Sequence, residues 1–331
     1  LNGAGRQGDY QGIFAALLAA AFLGSAPVIG RLAYQNEVSP LGLAAARTLI
    51  AALLLWLAYA LAMRQFIYIF PVGLAECALA GSINGIGSLF YYAGLKALDN
   101  ASLAQLLYTT YPLFVAVLLR LDGHRLSRLT SLRLSLTLGA VYLLTTRNPL
   151  DLLAVSDLHA DTLGVLLLLA SALFFAFHVV FSQRALYDVP PPTVTLYSLT
   201  AMAVTVLIAW LGASLAGVSF LVGPEPLAAP PLGGLAAIVA LGLVTAFSRL
   251  ALFVGVKRLG GVQTTLLSVG ELVVALVLAY SLLGEQLLAW QWAGAALLLF
   301  TQLLISRERL QAVAGRPRFR ISAPLESAAD Q

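Results

Sequence analysis

Five ionisable side chains stand inside long apolar runs of this 331-residue chain: Arg47, Glu76, His178, Arg249 and Glu271. A charge at the centre of a membrane-length apolar helix costs about 2.5–3.5 kcal/mol on insertion scales. Such groups need a partner or a task. The chemistry open to them is charge recognition and proton handling: a carboxylate can carry a proton, a guanidinium can hold an anion, and an imidazole can do either. Glu271 is the lone acid of "LLSVGELVVALVLAY" (266–280), and Arg249 of the preceding apolar run is its expected partner. The two runs are joined by "KRLGG". At 1.5 Å rise per residue, Arg249 lies about 12 Å and Glu271 about 15 Å from that turn. Arg249, Glu271 and Arg47 are therefore read as coupling or gating groups. Arg47 is also expected to snorkel or to hold a backbone carbonyl, and Glu76 to meet headgroup water. His178 has no second histidine or cysteine in the pattern, so it is read as a neutral histidine or a solute contact. No metal site and no cofactor are expected.

Uncharged polar residues recur at helical spacing within the same runs. Asn84, Ser88 and Tyr91 fall on one face, with Tyr92 beside them. Gln105 and Tyr108 fall on a second, Ser171, Phe175, His178 and Ser182 on a third, Thr245, Ser248 and Arg249 on a fourth, and Thr264, Ser268 and Glu271 on a fifth. A single Ser or Thr can be helix–helix glue worth about 0.6 kcal/mol. The convergence of five stripes points instead to one wet cavity. Its expected lining is Ser25, Asn84, Ser88, Tyr91, Gln105, Tyr108, Phe175, His178, Ser248 and Ser268. Tyr91, Tyr92, Tyr108, Tyr111, Phe174, Phe175, Phe247 and Phe253 would suit an apolar or aromatic solute. "GSINGIG" (81–87) lacks the Lys-Ser/Thr ending of a phosphate loop, so Gly81 and Gly85 are read as a close helix contact.

The elements that must position these residues follow from composition. The chain is 60% hydrophobic and 10% charged, with a mean hydropathy of +0.90. That charge content is well under the roughly 25% of soluble domains, so the lipid bilayer is the expected solvent. The fold class is an all-α integral membrane protein with ten spans, about 11–33, 40–62, 68–95, 100–120, 128–147, 162–186, 192–216, 232–256, 261–283 and 289–306. The first run is long enough to span and lacks a small-x-small cleavage pattern, so it is read as a span and not a leader. With the N-terminus in the cytoplasm, 14 Lys and Arg fall on the cytoplasmic side and 3 (Arg31, Lys96, Arg147) outside, while Arg47 and Arg249 lie within spans. The positive-inside rule then places both termini in the cytoplasm. This explains the net charge of +4 without nucleic acid. Cys77, the one cysteine, permits no internal disulfide and is read as a small buried hydrophobe.

The two halves repeat. At an offset of 152, Gly12, Phe22, Val28 and Pro40 match Gly164, Phe174, Val180 and Pro192. At an offset of 161, Gly94, Lys96, Leu98, Leu106 and Gly123 match Gly255, Lys257, Leu259, Leu267 and Gly284. The organisation expected is a five-helix repeat over 11–147, an external linker at 148–161, a second repeat over 162–306 and a basic cytoplasmic tail at 307–331. An odd number of spans per repeat inverts the second copy. Many secondary transporters have that architecture, with the site at mid-membrane between the halves.

"YYAGLKALDNASLAQLLYTTYPLFVAVLLRLDGHRLS" (91–127) and "VKRLGGVQTTLLSVGELVVALVLAYSLLGEQLL" (256–288) resemble the two signature segments of the drug/metabolite transporter superfamily, EamA branch. "AARTLIAALLL" (45–55) resembles the segment that carries the family's arginine early in span two, here Arg47. The Gly-Glu pair that the family often shows after spans four and nine is Gly123-His124 in the first half and Gly284-Glu285 in the second. The family's Glu-Pro of span nine reads Glu271-Leu272, whereas Tyr111-Pro112 stands in the first half. The resemblance implies a metabolite exporter of the inner membrane, with spans five and ten at the back and amino acids or drug-like molecules among the solutes. The expected partners are a small-molecule solute, the lipid bilayer and protons as a coupling ion, on a monomer or weak homodimer. The alternatives are an intramembrane enzyme acting on lipid and a passive channel. The enzyme reading lacks a His-x-x-x-His or Asp-x-x-Asp-Asp pattern, and the aspartates stand in loops.

Overall fold

The computed structural model describes residues 2–121, 128–145, 161–186, 188–217, 230–259 and 270–314. Every regular element among them is helical. In hydrocarbon each backbone polar group must be paired within the segment, and a helix does that locally. The helices are α1 (Asn2–Gln35), α2 (Pro40–Ala62), α3 (Pro71–Leu98), α4 (Ala101–Tyr108), α5 (Tyr111–Leu121), α6 (Arg128–Thr145), α7 (Asp161–Ala185), α8 (Pro191–Leu215), α9 (Leu232–Leu259), α10 (Gly270–Leu283) and α11 (Ala289–Ala314). A 3₁₀ turn, Arg64–Phe66, follows α2.

Among the described residues seven segments are long and apolar enough to cross a membrane, and Ser131–Thr145 and Gly270–Leu283 are shorter apolar helices. The expected ninth span is thus described only from Gly270 onward, and Thr264 and Ser268 lie outside the described residues. The outer surface carries large apolar side chains such as Phe14, Leu53, Leu57, Leu61 and Ile208, all more than half exposed. In water such a surface would aggregate; against lipid tails it is at rest.

Expected span four is two helices. Pro112 has no N–H, and its ring would clash with the carbonyl four residues back, at Tyr108. The chain turns at Thr109–Thr110, and the N–H of Leu113 goes to the Thr110 carbonyl at 2.9 Å. This frees the Thr109 carbonyl, which accepts from Gln302 Nε2 on α11 at 3.1 Å.

Packing respects the internal repeat. α1 packs on α9 and α10, while its counterpart α7 packs on α3 and on α4–α5. α2 meets α8 and α9, while α8 meets α2 and α3; α6 pairs with α11. Exchanging the two halves maps this set of contacts onto itself. The close contact read from Gly81 is present between α3 and α8. A Cβ on Gly81 would stand 2.3 Å from the Ser198 carbonyl oxygen and 2.9 Å from its Cα, whereas one on Gly85 would first meet Thr205 Cβ at 3.0 Å. Gly81→Ala is therefore expected to destabilise by about 1–3 kcal/mol, the range for overpacked interiors, and Gly85→Ala by less. Thermal melts in detergent that rank the two variants equal would contradict this.

Candidate functional site

A cavity of about 110 Å³ lies where the two halves meet. One water needs roughly 10–15 Å³ on the same kind of measure, so the space holds several waters or a small solute. The first half supplies Leu23 and Ala26 from α1, Arg47 from α2, Asn84, Gly87, Ser88, Tyr91 and Tyr92 from α3, and Gln105 and Tyr108 from α4. The second half supplies Ser171 and Phe175 from α7, Leu199 and Met202 from α8, Val244, Thr245 and Arg249 from α9, and Glu271 from α10. Among the described residues α6 and α11 contribute none to the lining.

Glu271 stands in the first turn of α10. Its Oε1 accepts from Gln105 Nε2 at 2.8 Å, and Gln105 Oε1 accepts from the Tyr91 hydroxyl at 3.3 Å. A relay from α3 through α4 to α10 thus joins the two halves. The expected Arg249–Glu271 ion pair is not formed: the only salt bridge among the described residues joins Arg31 and Asp99. Both groups line the cavity and attract one another across it, but they do not come within salt-bridge distance. Arg249 has no hydrogen-bond or ion-pair partner among the described residues.

Arg47 neither snorkels nor holds a backbone carbonyl. It donates to Ser88 Oγ at 2.8 Å and to Thr245 Oγ1 at 3.3 Å, and its guanidinium sits over the Tyr92 ring at 4.6 Å. It therefore ties α2 to α3 and, across the halves, to α9. Its Nε is buried without a partner.

Aromatic rings form a continuous wall. Tyr91 meets Tyr108 at 5.1 Å, Tyr108 meets Phe175 at 5.3 Å, and Phe175 meets Tyr111 edge-on at 4.8 Å. Ring pairs at these separations add about 0.5–1.5 kcal/mol beyond area burial, so the wall is stiff.

Of the expected lining, Asn84, Ser88, Tyr91, Gln105, Tyr108 and Phe175 do face the cavity. Ser25, His178 and Ser248 do not. Ser25 bonds back to the Phe22 carbonyl at 2.8 Å, and Ser248, fully buried, to the Thr245 carbonyl at 2.9 Å. A helical Ser or Thr hydroxyl can be satisfied in this way by its own backbone. His178 packs its ring against Phe175 at 5.5 Å, behind the wall. Its Nδ1 donates to the Ala80 carbonyl at 2.9 Å, since a carbonyl can only accept, and so it ties α7 to α3. Phe247 is half exposed on the outer surface and stacks on Phe22, not on the cavity. Phe174 packs on Phe90 outside the lining. Glu76 is half-buried near the start of α3 and also lies away from the cavity. Sequence reasoning missed Leu23, Leu199, Met202 and Val244, because an apolar cavity residue reads the same as an apolar lipid-facing one.

A second cluster joins the α10–α11 turn to the N-terminus of α4. Glu285, in the α10–α11 turn, accepts from the backbone N–H groups of Ala101 and Ser102 at 2.7 and 2.8 Å and from the Ser102 hydroxyl at 2.7 Å. These are unpaired donors of the α4 N-terminus. Gly284 makes this possible: its φ of 66° ends α10 in the left-handed region that favours glycine and aims Glu285 across the halves. The α3–α4 turn is fixed further by Asp99 at φ 55°, which pairs with Arg31, and by Asn100, whose side chain accepts from Leu103 N at 2.8 Å. Among the described residues no three His, Cys, Asp or Glu side chains come together as a metal centre.

The chain matches the EamA-like transporter family twice, over residues 10–146 and 162–307. No curated protein matches it. A solved structure described only as a crystal structure of a protein is 21% identical, with a TM-score of 0.56 over 93% of this chain and 99% of that one. At that identity the likeness shows the fold alone. The two family matches, one on each repeat, account for a multi-pass helical protein with a cavity between its halves. The chain belongs to the EamA-like transporter family and is a membrane transporter of the drug/metabolite type.

Proposed function

We propose that this protein is a secondary transporter of the inner membrane, built as ten spans in two inverted five-helix halves. Its cargo is a small organic metabolite, with amino acids and drug-like molecules of aromatic body as the solutes to test first. Movement is by alternating access and the proposed direction is export. The observation that carries the reading is a cavity lined from both halves, with Arg47, Arg249 and Glu271 on its wall. A solute there touches both, so rocking one half against the other can expose it to either side. Protons are the proposed coupling ion, since Glu271 is the one carboxylate among the described residues of the cavity wall. The protein is proposed to act as a monomer or weak homodimer.

The test is flux into proteoliposomes for amino acids, nucleosides and cationic drugs, with and without a pH gradient. The expected result is saturable movement of at least one solute. No solute moving above the rate of empty liposomes, or a non-saturating conductance, would sink the reading.

Orientation is proposed from the 14-to-3 distribution of Lys and Arg. Both termini and the 120–133 connection are cytoplasmic, and 148–161 is external. In a Cys77→Ala background, an impermeant thiol reagent should label Ser156→Cys and spare Ser127→Cys on whole cells. The reverse pattern would contradict it.

A further inference from the structure

The charges on the cavity wall do not balance. Among the described residues of the wall, Arg47 and Arg249 are both there, Glu271 is the only acid, and no lysine, aspartate or histidine joins them. The wall therefore carries an excess of one positive charge with Glu271 ionised, and of two with it protonated. A guanidinium cannot shed its proton to relieve this. The protein's own groups offset it only in part: Glu271 attracts Arg249 across the cavity without forming a salt bridge. Glu271 is bonded to Gln105 and forms no salt bridge with either arginine. Arg249 makes no hydrogen bond or salt bridge among the described residues, and Arg47 keeps a buried Nε–H unpaired. Guanidinium groups withdrawn from water without a counter-charge are unfavourable, and that penalty is lifted when an anion arrives.

We infer that the cavity is built for a small aromatic monoanion whose carboxylate is held by Arg249, with Arg47 completing the positive wall. This rests on the transport reading above and specifies its cargo. A single negative charge cancels the excess of one. The planar fork of a guanidinium matches the two oxygens of a carboxylate. The body of the solute is met by Tyr91, Tyr108 and Phe175, with Leu199 and Met202 opposite on α8. The same wall disfavours cationic drugs, because an ammonium adds a third positive charge to a site that already carries a positive excess.

The experiment is calorimetric titration of the full chain in detergent with 3-phenylpropanoate, 3-phenylpropanol, 3-phenylpropylamine and phenylalanine. These share one body and differ in charge. The acid is expected to bind at least about tenfold more tightly than the alcohol, as a hydrogen-bonded charge does over a neutral group. The amine is expected to be weakest. Arg249→Gln should remove the preference, so that acid and alcohol bind that variant equally. If that variant does not fold, the wild-type series decides alone. Equal binding of acid and alcohol, a preference for the amine, or tighter binding of phenylalanine, whose ammonium cancels its carboxylate, would overturn the proposal. Binding of none of the four, with liposome flux of another solute intact, would also overturn it while leaving the transport reading standing. Absence of all flux would remove that reading instead.

Discussion

Glu271→Gln is expected to yield folded protein at close to the wild-type level and to lower solute flux by about tenfold to a hundredfold. The amide has the shape of the carboxylate and can still accept from Gln105 Nε2, the bond that measures 2.8 Å in the native chain. What it lacks is the charge and the ability to take up a proton. Hydrogen bonds to a charged group are worth about 1.5–3 kcal/mol, and each 1.4 kcal/mol is a factor of ten. Glu271→Leu should do worse. It removes the acceptor for Gln105, which is itself buried, and so lowers the yield of folded protein as well as flux. Purified yield, detergent melting temperature and proteoliposome flux distinguish the two variants. Wild-type flux in Glu271→Gln would reduce the relay from Tyr91 to Glu271 to a brace between the halves.

Glu285→Ala should act on the equilibrium between conformations and not on the cavity. The Glu285 carboxylate gathers three donors from the α4 N-terminus, and it is contributed by the other half of the molecule. A carboxylate there also meets the positive end of the helix dipole. Losing such a cap costs about 2 kcal/mol. If the bond exists only while that end is closed, the same 2 kcal/mol shifts the closed-to-open ratio by roughly 30-fold. The expected result is faster labelling of Asn84→Cys, in a Cys77→Ala background, by a reagent added on the side of the α3–α4 turn. Glu285→Gln should fall between, because the amide oxygen still accepts but carries no charge. An unchanged labelling rate in Glu285→Ala would show that Glu285 merely finishes a helix.

Much of this arrangement could be read from residue types, and the part that could not shares one physical cause. Periodicity reports which side of its own helix a residue occupies, and so it groups Asn84, Ser88 and Tyr91, and Gln105 and Tyr108, all of which line the cavity. It does not report what that face meets. Ser25 and Ser248 have the same residue type as Ser88, yet their hydroxyls return to their own helices while Ser88 accepts from Arg47. The depths of Arg249 and Glu271 follow from helical rise, but pairing also depends on how each helix is rotated, which no spacing encodes. The division of span four was signalled by Tyr111-Pro112, whereas its completion by Gln302 depends on a helix nearly two hundred residues away. Gly284-Glu285 was visible only as a family motif. Its reason, a left-handed turn that delivers a cap to the opposite half, needed the three-dimensional contact.

The central claim is that solute passes through the cavity enclosed by both halves. Asn84 is a suitable probe, since it lines the cavity and its side chain makes one weak contact, to Met202 Sδ at 3.4 Å. Asn84→Cys in a Cys77→Ala background should transport at close to the wild-type rate until it is alkylated. The most direct measurement is flux through proteoliposomes before and after stoichiometric alkylation of that one thiol, with transported solute present or absent during labelling. Alkylation is expected to abolish flux, and saturating solute is expected to slow the alkylation. Full alkylation with undiminished flux would show that the solute takes another route.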